Sequence, residues 1–310
     1  MKSFLVVFTF LFSTSLFAQE EVSIQNEQLT LYGTLTTPKK GTEKAVLIIS
    51  GSGATDRNGN TTPLGYVNNS LKQLAEQLAL EGYATLRYDK RGVGKSIDTS
   101  ITPENLRFEQ YMIDAEKWAL FLKERYSKVF VLGHSQGGLI GMVATKNAKA
   151  DAFISLAGLT EGAYSTVKKQ LASQPQFVKD AAFPILDNLN QGVKTDSVPP
   201  YLHSFLHPKI QDYFMSFMNY DPREEIKKIH IPILIVQGTL DLQITVEGAR
   251  SLATYNPISK IEIIKGMNHV LKQSSENAAE NLGTYSNPNL ALHPDLVPII
   301  AKFLAQVSSK

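Results

Sequence analysis

One short stretch constrains this chain more than any other. An apolar run at 128–132 leads directly into Gly133-His134-Ser135-Gln136-Gly137-Gly138, and an apolar helical pattern begins at Leu139. A strand that turns this abruptly into a helix leaves no room for side chains beside the turn, so glycines bracket it. Ser135 then sits at the apex of a G-x-S-x-G turn, held in a strained backbone conformation with its hydroxyl presented above a sheet. The strand must be buried in that sheet and the helix packed on its face, which commits the chain to a layered α/β architecture.

The rest of the sequence supplies the layers. Residues 28–36 alternate apolar and polar and predict an antiparallel strand. The continuous apolar run 45–49 predicts a buried strand that feeds the loop Ser50-Gly51-Ser52-Gly53. Further strands are predicted at 83–88, 152–156, 233–236 and 261–264, with helices at 69–80, 108–126 and 296–307. Strand and helix alternating at this spacing means a mostly parallel sheet covered on both faces. The exception is 160–231, which lies between two sheet strands without a strand signal of its own. Its helix-like pieces at 163–172 and 210–218 are broken by Pro199-Pro200 and His207-Pro208. A connection of that length is an insertion rather than a loop. It is read as a helical cap over a core formed by 19–159 and 232–310.

A serine hydroxyl is a weak nucleophile and needs a base. Of the six histidines, His134 lies inside the turn and is expected to point away from Ser135. His203 and His207 fall in the cap, and His230 opens a strand. His293 begins the last helix, where it is expected to cap it or face solvent. His269 follows the strand at 261–264 in Gly266-Met267-Asn268-His269, and loops at the C-terminal ends of strands are where α/β folds carry reactive groups. His269 is therefore the candidate base. Asp241, in Gly238-Thr239-Leu240-Asp241 after the strand at 233–236, is the candidate acid that would fix its tautomer. Developing oxyanion charge needs two fixed N–H donors; the backbone of Gln136 and that of Ser52 are the candidates. Asp56-Arg57-Asn58-Gly59-Asn60 extends the same loop, either toward the mouth of the site or as a turn closed by Asx hydrogen bonds. Asp89 and Arg91 are expected to pair and hold the turn after the strand at 83–88.

Composition narrows the chemistry. Thirty-one Lys and Arg against 29 Asp and Glu leave a net charge of +2, too little basic excess to bind a nucleic acid backbone. Cysteine is absent, which excludes a cysteine nucleophile, disulfides and thiolate metal sites. No metal or organic cofactor is implied. Residues 1–18, MKSFLVVFTFLFSTSLFA, have the basic start, short apolar core and small terminal residue of a secretory signal peptide. Cleavage after Ala18 and export to the periplasm or exterior are expected, with no stable membrane span afterwards.

Ser135, Asp241 and His269 occur in the chain order of the α/β-hydrolases. The chain resembles the serine-aminopeptidase-like or dienelactone-hydrolase-like group of that fold over nearly its whole length after residue 18. Arg87-Tyr88-Asp89-Lys90-Arg91-Gly92-Val93-Gly94-Lys95-Ser96 is similar to the block that follows a sheet strand in that group. Gly238-Thr239-Leu240-Asp241-Leu242-Gln243 and Gly266-Met267-Asn268-His269 are similar to its acid and base blocks. Asn219-Tyr220-Asp221-Pro222 and Thr284-Tyr285-Ser286-Asn287-Pro288 look like a narrower set of exported bacterial members. The resemblance implies an eight-stranded, mostly parallel sheet flanked by helices, and a serine hydrolase that acts through an acyl-enzyme. A carboxylesterase for small esters is the expected activity. A serine aminopeptidase, a thioesterase or a non-catalytic binding protein on the same fold are the alternatives.

Overall fold

The computed structural model describes residues 16–309. Most of the expected export segment, residues 1–15, lies outside the described residues. The chain runs through β1 (Phe17–Asn26), β2 (Leu29–Pro38), β3 (Lys44–Ile49), α1 (Ser70–Leu80), β4 (Ala84–Tyr88), α2 (Phe108–Lys123), β5 (Lys128–His134), α3 (Gln136–Asn147) and β6 (Ala152–Leu156). Five helices follow without a strand: α4 (Ala163–Leu171), α5 (Gln176–Asn190), α6 (His203–Leu206), α7 (Gln211–Met218) and α8 (Pro222–Ile226). The sheet resumes with β7 (Ile233–Gly238), α9 (Val246–Thr254) and β8 (Ser259–Ile264), and the chain closes with α10 (Ala278–Gly283) and α11 (Leu296–Ser308).

These strands form one eight-stranded sheet in the order β1-β2-β4-β3-β5-β6-β7-β8. The β1–β2 and β2–β4 pairs are antiparallel and every other pair is parallel. This is the α/β-hydrolase fold, with a helical insertion between β6 and β7.

Period-two alternation sorts the side chains of each central strand to opposite faces. In β3, Ala45, Leu47 and Ile49 join the core beneath α2 and α3, whereas Val46 and Ile48 join the core beneath α1 and α11. With both faces covered, the middle strands can be uniformly apolar, which is why 45–49 and 128–132 read as continuous runs. β1 is the strand with no signal in the sequence. It is an edge strand whose side chains are mostly exposed, so neither face had to be apolar. The insertion rests on α2 through a cluster of rings. Phe108 lies 4.6 Å from Phe217, 5.7 Å from Tyr220 and 6.3 Å from Tyr213 between centroids. Ser216 Oγ accepts the Phe108 N–H at 2.8 Å, satisfying a donor at the start of α2. Parallel strands point their C-terminal ends the same way, so the loops after β3, β5, β7 and β8 gather along one edge of the sheet. The loops that carry the candidate residues therefore lie along that edge.

Candidate active site

Ser135 joins β5 to α3 with φ 54° and ψ −124°, a conformation that L-residues avoid. The reason it persists is visible on either side. A Cβ on Gly133 would stand 2.0 Å from the Gly137 carbonyl oxygen, and one on Gly137 would stand 2.4 Å from that of Ile49. Only glycine lets the helix start this close to the strands. Strain of this kind costs on the order of 1–3 kcal/mol and survives where the surroundings over-determine it. Here the Ser135 N–H donates to Leu156 O at 3.1 Å, and Gly138 N–H closes the turn onto Ser135 O at 2.9 Å.

Asp241 and His269 come together from the loops after β7 and β8. His269 Nδ1 lies 2.8 Å from Asp241 Oδ2, and both side chains are almost wholly buried. The two loops are stitched to each other: Leu240 N–H donates to Met267 O at 3.0 Å, and Gly266 N–H to Thr239 Oγ1 at 2.9 Å. Each oxygen of Asp241 is occupied. Oδ1 accepts the N–H groups of Gln243 at 2.8 Å and Ile244 at 3.0 Å, and Oδ2 also accepts from Gln237 Nε2 at 3.0 Å. Burial opposes ionisation of this carboxyl. The His269 contact and the two backbone donors outweigh it, so its pKa lies below the ordinary carboxylate value. A carboxylate at Nδ1 keeps a proton on that nitrogen and leaves Nε2 as the basic one. Ser135 Oγ has no hydrogen bond among the described residues.

His134, read from the sequence as turned away from Ser135, packs against His269. Its Nε2–H donates to the backbone carbonyl of His269 at 2.8 Å, with the two rings 4.9 Å apart. Burial, then the neighbouring His269, pulls its pKa down to about 3, so it is a neutral brace rather than a second base. His293 is buried rather than solvent-facing: Nε2 donates to Lys265 O at 3.1 Å, and Nδ1 accepts the N–H of Asp295 at 3.3 Å.

The loop after β3 abuts the serine. A Cβ on Gly51 would lie 3.1 Å from Ser135 Cβ and 3.6 Å from its Oγ. Among the described residues, the N–H groups of Ser52 and Gln136 have no acceptor within the protein. Further along, Asp56 Oδ1 accepts the N–H groups of Asn58 at 2.8 Å and Asn60 at 2.9 Å, the Asx arrangement. The expected Asp89–Arg91 pair does not form. Arg57 takes Asp89, at 2.8 and 3.0 Å, and Arg91 takes Asp114 on α2 with two bonds of 2.7 Å. Each of these two buried carboxylates is matched by a planar guanidinium from another part of the chain with more than one bond.

The insertion reaches the site through Tyr213 on α7. Gln136 Nε2 donates to its hydroxyl at 2.9 Å, and its ring packs edge-on against Tyr111 at 5.7 Å. Ser135 is 6% and His269 4% exposed. Sequence reasoning passed over Gln237 and gave His134 no role in the site. Gln237 carried a usable signal, being an amide at the end of the buried run Ile233–Gly238; an interior polar group of that kind must be serving a partner. Among the described residues, no cluster of three or more histidines and carboxylates could hold a metal ion.

A protein-family model described as "Serine aminopeptidase, S33" matches residues 65–274, more than half of the chain. Among curated proteins, Esterase EstD of Thermotoga maritima is 28% identical over 233 residues, which is 74% of this chain and 53% of that protein. The chain thus spans about half the length of the curated relative it matches. Among solved structures, Est1E from Butyrivibrio proteoclasticus with ferulic acid bound has a TM-score of 0.64 at 19% identity, covering 93% of this chain and all 100% of that one. The Pyrococcus furiosus esterase Pf2001 has a TM-score of 0.61 at 17% identity, covering 98% of this chain and 96% of that one. At such identities the two structures bear on the fold alone. The family match, on a fold of this topology, carries the assignment: the chain belongs to the serine-aminopeptidase-like family of α/β-hydrolases, a family of serine hydrolases.

Proposed function

We propose that the protein is a carboxylesterase for small esters. Ser135 attacks the ester carbonyl, and His269 Nε2 takes the hydroxyl proton. Asp241 holds Nδ1–H and offsets the imidazolium charge. The N–H groups of Ser52 and Gln136 stabilise the oxyanion, a contribution of about 3 kcal/mol per donor in serine hydrolases. His269 then protonates the departing alcohol, and water attacks the acyl-enzyme by the same route in reverse. Ser135 Oγ makes no hydrogen bond among the described residues, which is compatible with this, since catalytic hydrogen bonds commonly form or tighten only in the substrate complex.

The observation that carries the reading is the buried Asp241–His269 pair at 2.8 Å, on the same edge of the sheet as the strained Ser135 turn. Ester rather than peptide substrates are favoured by how the acids of the insertion are used. An aminopeptidase must hold a substrate ammonium. Glu161 pairs with Lys169 at 2.7 Å, Asp187 with Lys168 at 2.5 Å and Asp212 with Lys194 at 2.6 Å, so these charges are already neutralised. Esterase names among the similar proteins point the same way. The low exposure of Ser135 and His269, with Tyr213 of α7 on the neighbouring Gln136, supports a short acyl pocket rather than a channel for long chains. We further propose export, with the segment 1–18 removed.

The test is a fluorophosphonate probe together with a panel of p-nitrophenyl esters and aminoacyl amides. The purified protein labels on Ser135 and turns over esters faster than amides. Ser135→Ala folds, does not label and loses about 10⁴ or more in turnover. Labelling that persists in Ser135→Ala would falsify the assignment of the nucleophile.

A further inference from the structure

Lys90 is a lysine inside the protein, at 1% exposure. It follows β4 and reaches across to the loop after β3, where Nζ donates to the carbonyl of Gly51 and, at 3.2 Å, to that of Gly53. The Tyr111 ring lies beside it, 5.3 Å from Nζ. Among the described residues no carboxylate pairs with it, and burial pulls its pKa down to about 7. Burying an amine without a counter-ion costs free energy. What this amine satisfies is a pair of loop carbonyls next to Ser135.

Peptide geometry says what that grip does. A trans peptide holds its C=O and N–H in one plane, pointing in opposite directions, and no cis bond occurs among the described residues. The Gly51 carbonyl and the Ser52 N–H belong to one such unit, so drawing the carbonyl toward Lys90 turns the N–H the other way. The neighbouring acceptors are tied down as well. Thr55 Oγ1 donates to Ser52 O at 2.7 Å, and Ser50 Oγ donates to Thr55 O at 3.2 Å. The loop's carbonyls are thus engaged while the Ser52 N–H stays unclaimed. Without these ties the glycines would leave the peptide free to swing, since Gly53 already sits at φ +69°. The grip survives either protonation state of the amine: the ammonium offers three N–H groups, and the neutral form still has one for each carbonyl. A donor on the carbonyl also polarises the unit and strengthens its N–H.

We propose that Lys90 is a positioning residue for ester hydrolysis, clamping the Gly51 and Gly53 carbonyls so that the Ser52 N–H is held for the oxyanion formed at Ser135. The proposal rests on the esterase reading above. Lys90→Met keeps most of the length of the side chain and removes the donors. Its kcat for p-nitrophenyl butyrate falls on the order of 10- to 100-fold, part of what deletion of an oxyanion donor costs, while KM stays within about threefold. Affinity for an aryl boronic acid, which forms a tetrahedral adduct on serine, weakens in step with kcat/KM. A merely structural role would instead lower thermal stability and raise KM without singling out the adduct. Lys90→Gln, which keeps a neutral NH₂ group on a shorter side chain, loses less, and it carries the test if the Met variant does not fold. Wild-type kcat in a folded variant, a loss confined to KM, or unchanged boronate affinity overturns the proposal and leaves the esterase reading standing. A wild-type protein that neither hydrolyses esters nor reacts with fluorophosphonate overturns both.

Discussion

Replacing Asp241 by Asn exchanges one carboxylate oxygen for an NH₂ group in a place where every direction is taken. If the NH₂ replaces Oδ1, it faces the backbone N–H groups of Gln243 and Ile244, which cannot turn away. If it replaces Oδ2, it faces Gln237 Nε2 and His269 Nδ1. Of these four donors, His269 alone can give up its proton by changing tautomer. The second orientation therefore wins, and His269 moves its proton to Nε2, the nitrogen that must accept one from Ser135. The expected loss in kcat near neutral pH is about 10⁴, the size seen when the tautomer of a catalytic histidine is reversed. The remaining clash with Gln237 costs roughly 1–3 kcal/mol of folding free energy. Acid titration gives an independent reading. The folded pKa of Asp241 is depressed below its ordinary 3.8, so its ionised contacts stabilise the protein fully above that value. The contribution is lost as pH falls through the folded pKa, and the gap in stability between wild type and Asp241→Asn narrows over the same window. Turnover of p-nitrophenyl butyrate and urea unfolding at pH 7 and pH 3 measure both effects. Retention of kcat within about tenfold, or a comparable loss in Asp212→Asn or Asp221→Asn instead, refutes the reasoning.

Chain-length selectivity follows from the low exposure of Ser135 and the contact of Tyr213 on α7 with the adjacent Gln136: acetyl to butyryl and small aryl esters outpace acyl chains beyond about eight carbons, each misplaced methylene forfeiting roughly 1 kcal/mol or more. A palmitoyl ester with kcat/KM at or above that of the butyryl ester would remove the short pocket. If export occurs, the mature chain starts at or near Gln19, and cleavage there trims only Phe17 and Ala18 from β1, leaving Gln19–Asn26 to pair with β2. Mass spectrometry of protein from the native host that found Met1–Ala18 intact would end that proposal.

Some of this molecule could be read from one dimension because the physics concerned is local. A buried parallel strand must be apolar throughout, so 45–49 and 128–132 announce themselves. A turn as tight as that at Ser135 admits only glycine at Gly133 and Gly137, so the bend is written in the residues that make it. The positions of Asp241 and His269 just after strands follow from the rule that parallel strands share one C-terminal edge. β1 escaped because an exposed edge strand has no face to keep apolar. The partners of buried charges escaped for a different reason. Asp89 stands two residues from Arg91, yet it pairs with Arg57, while Arg91 crosses to Asp114. Lys90 finds Gly51, and His134 finds the carbonyl of His269. Each of these bonds joins elements distant in the chain, and a buried polar group takes whichever acceptor the packed layers bring to it. Strand, turn and helix are decided by what neighbouring residues permit one another. Which ammonium meets which carbonyl is decided only once the layers close and water is gone, when an unpaired polar group becomes too costly to leave.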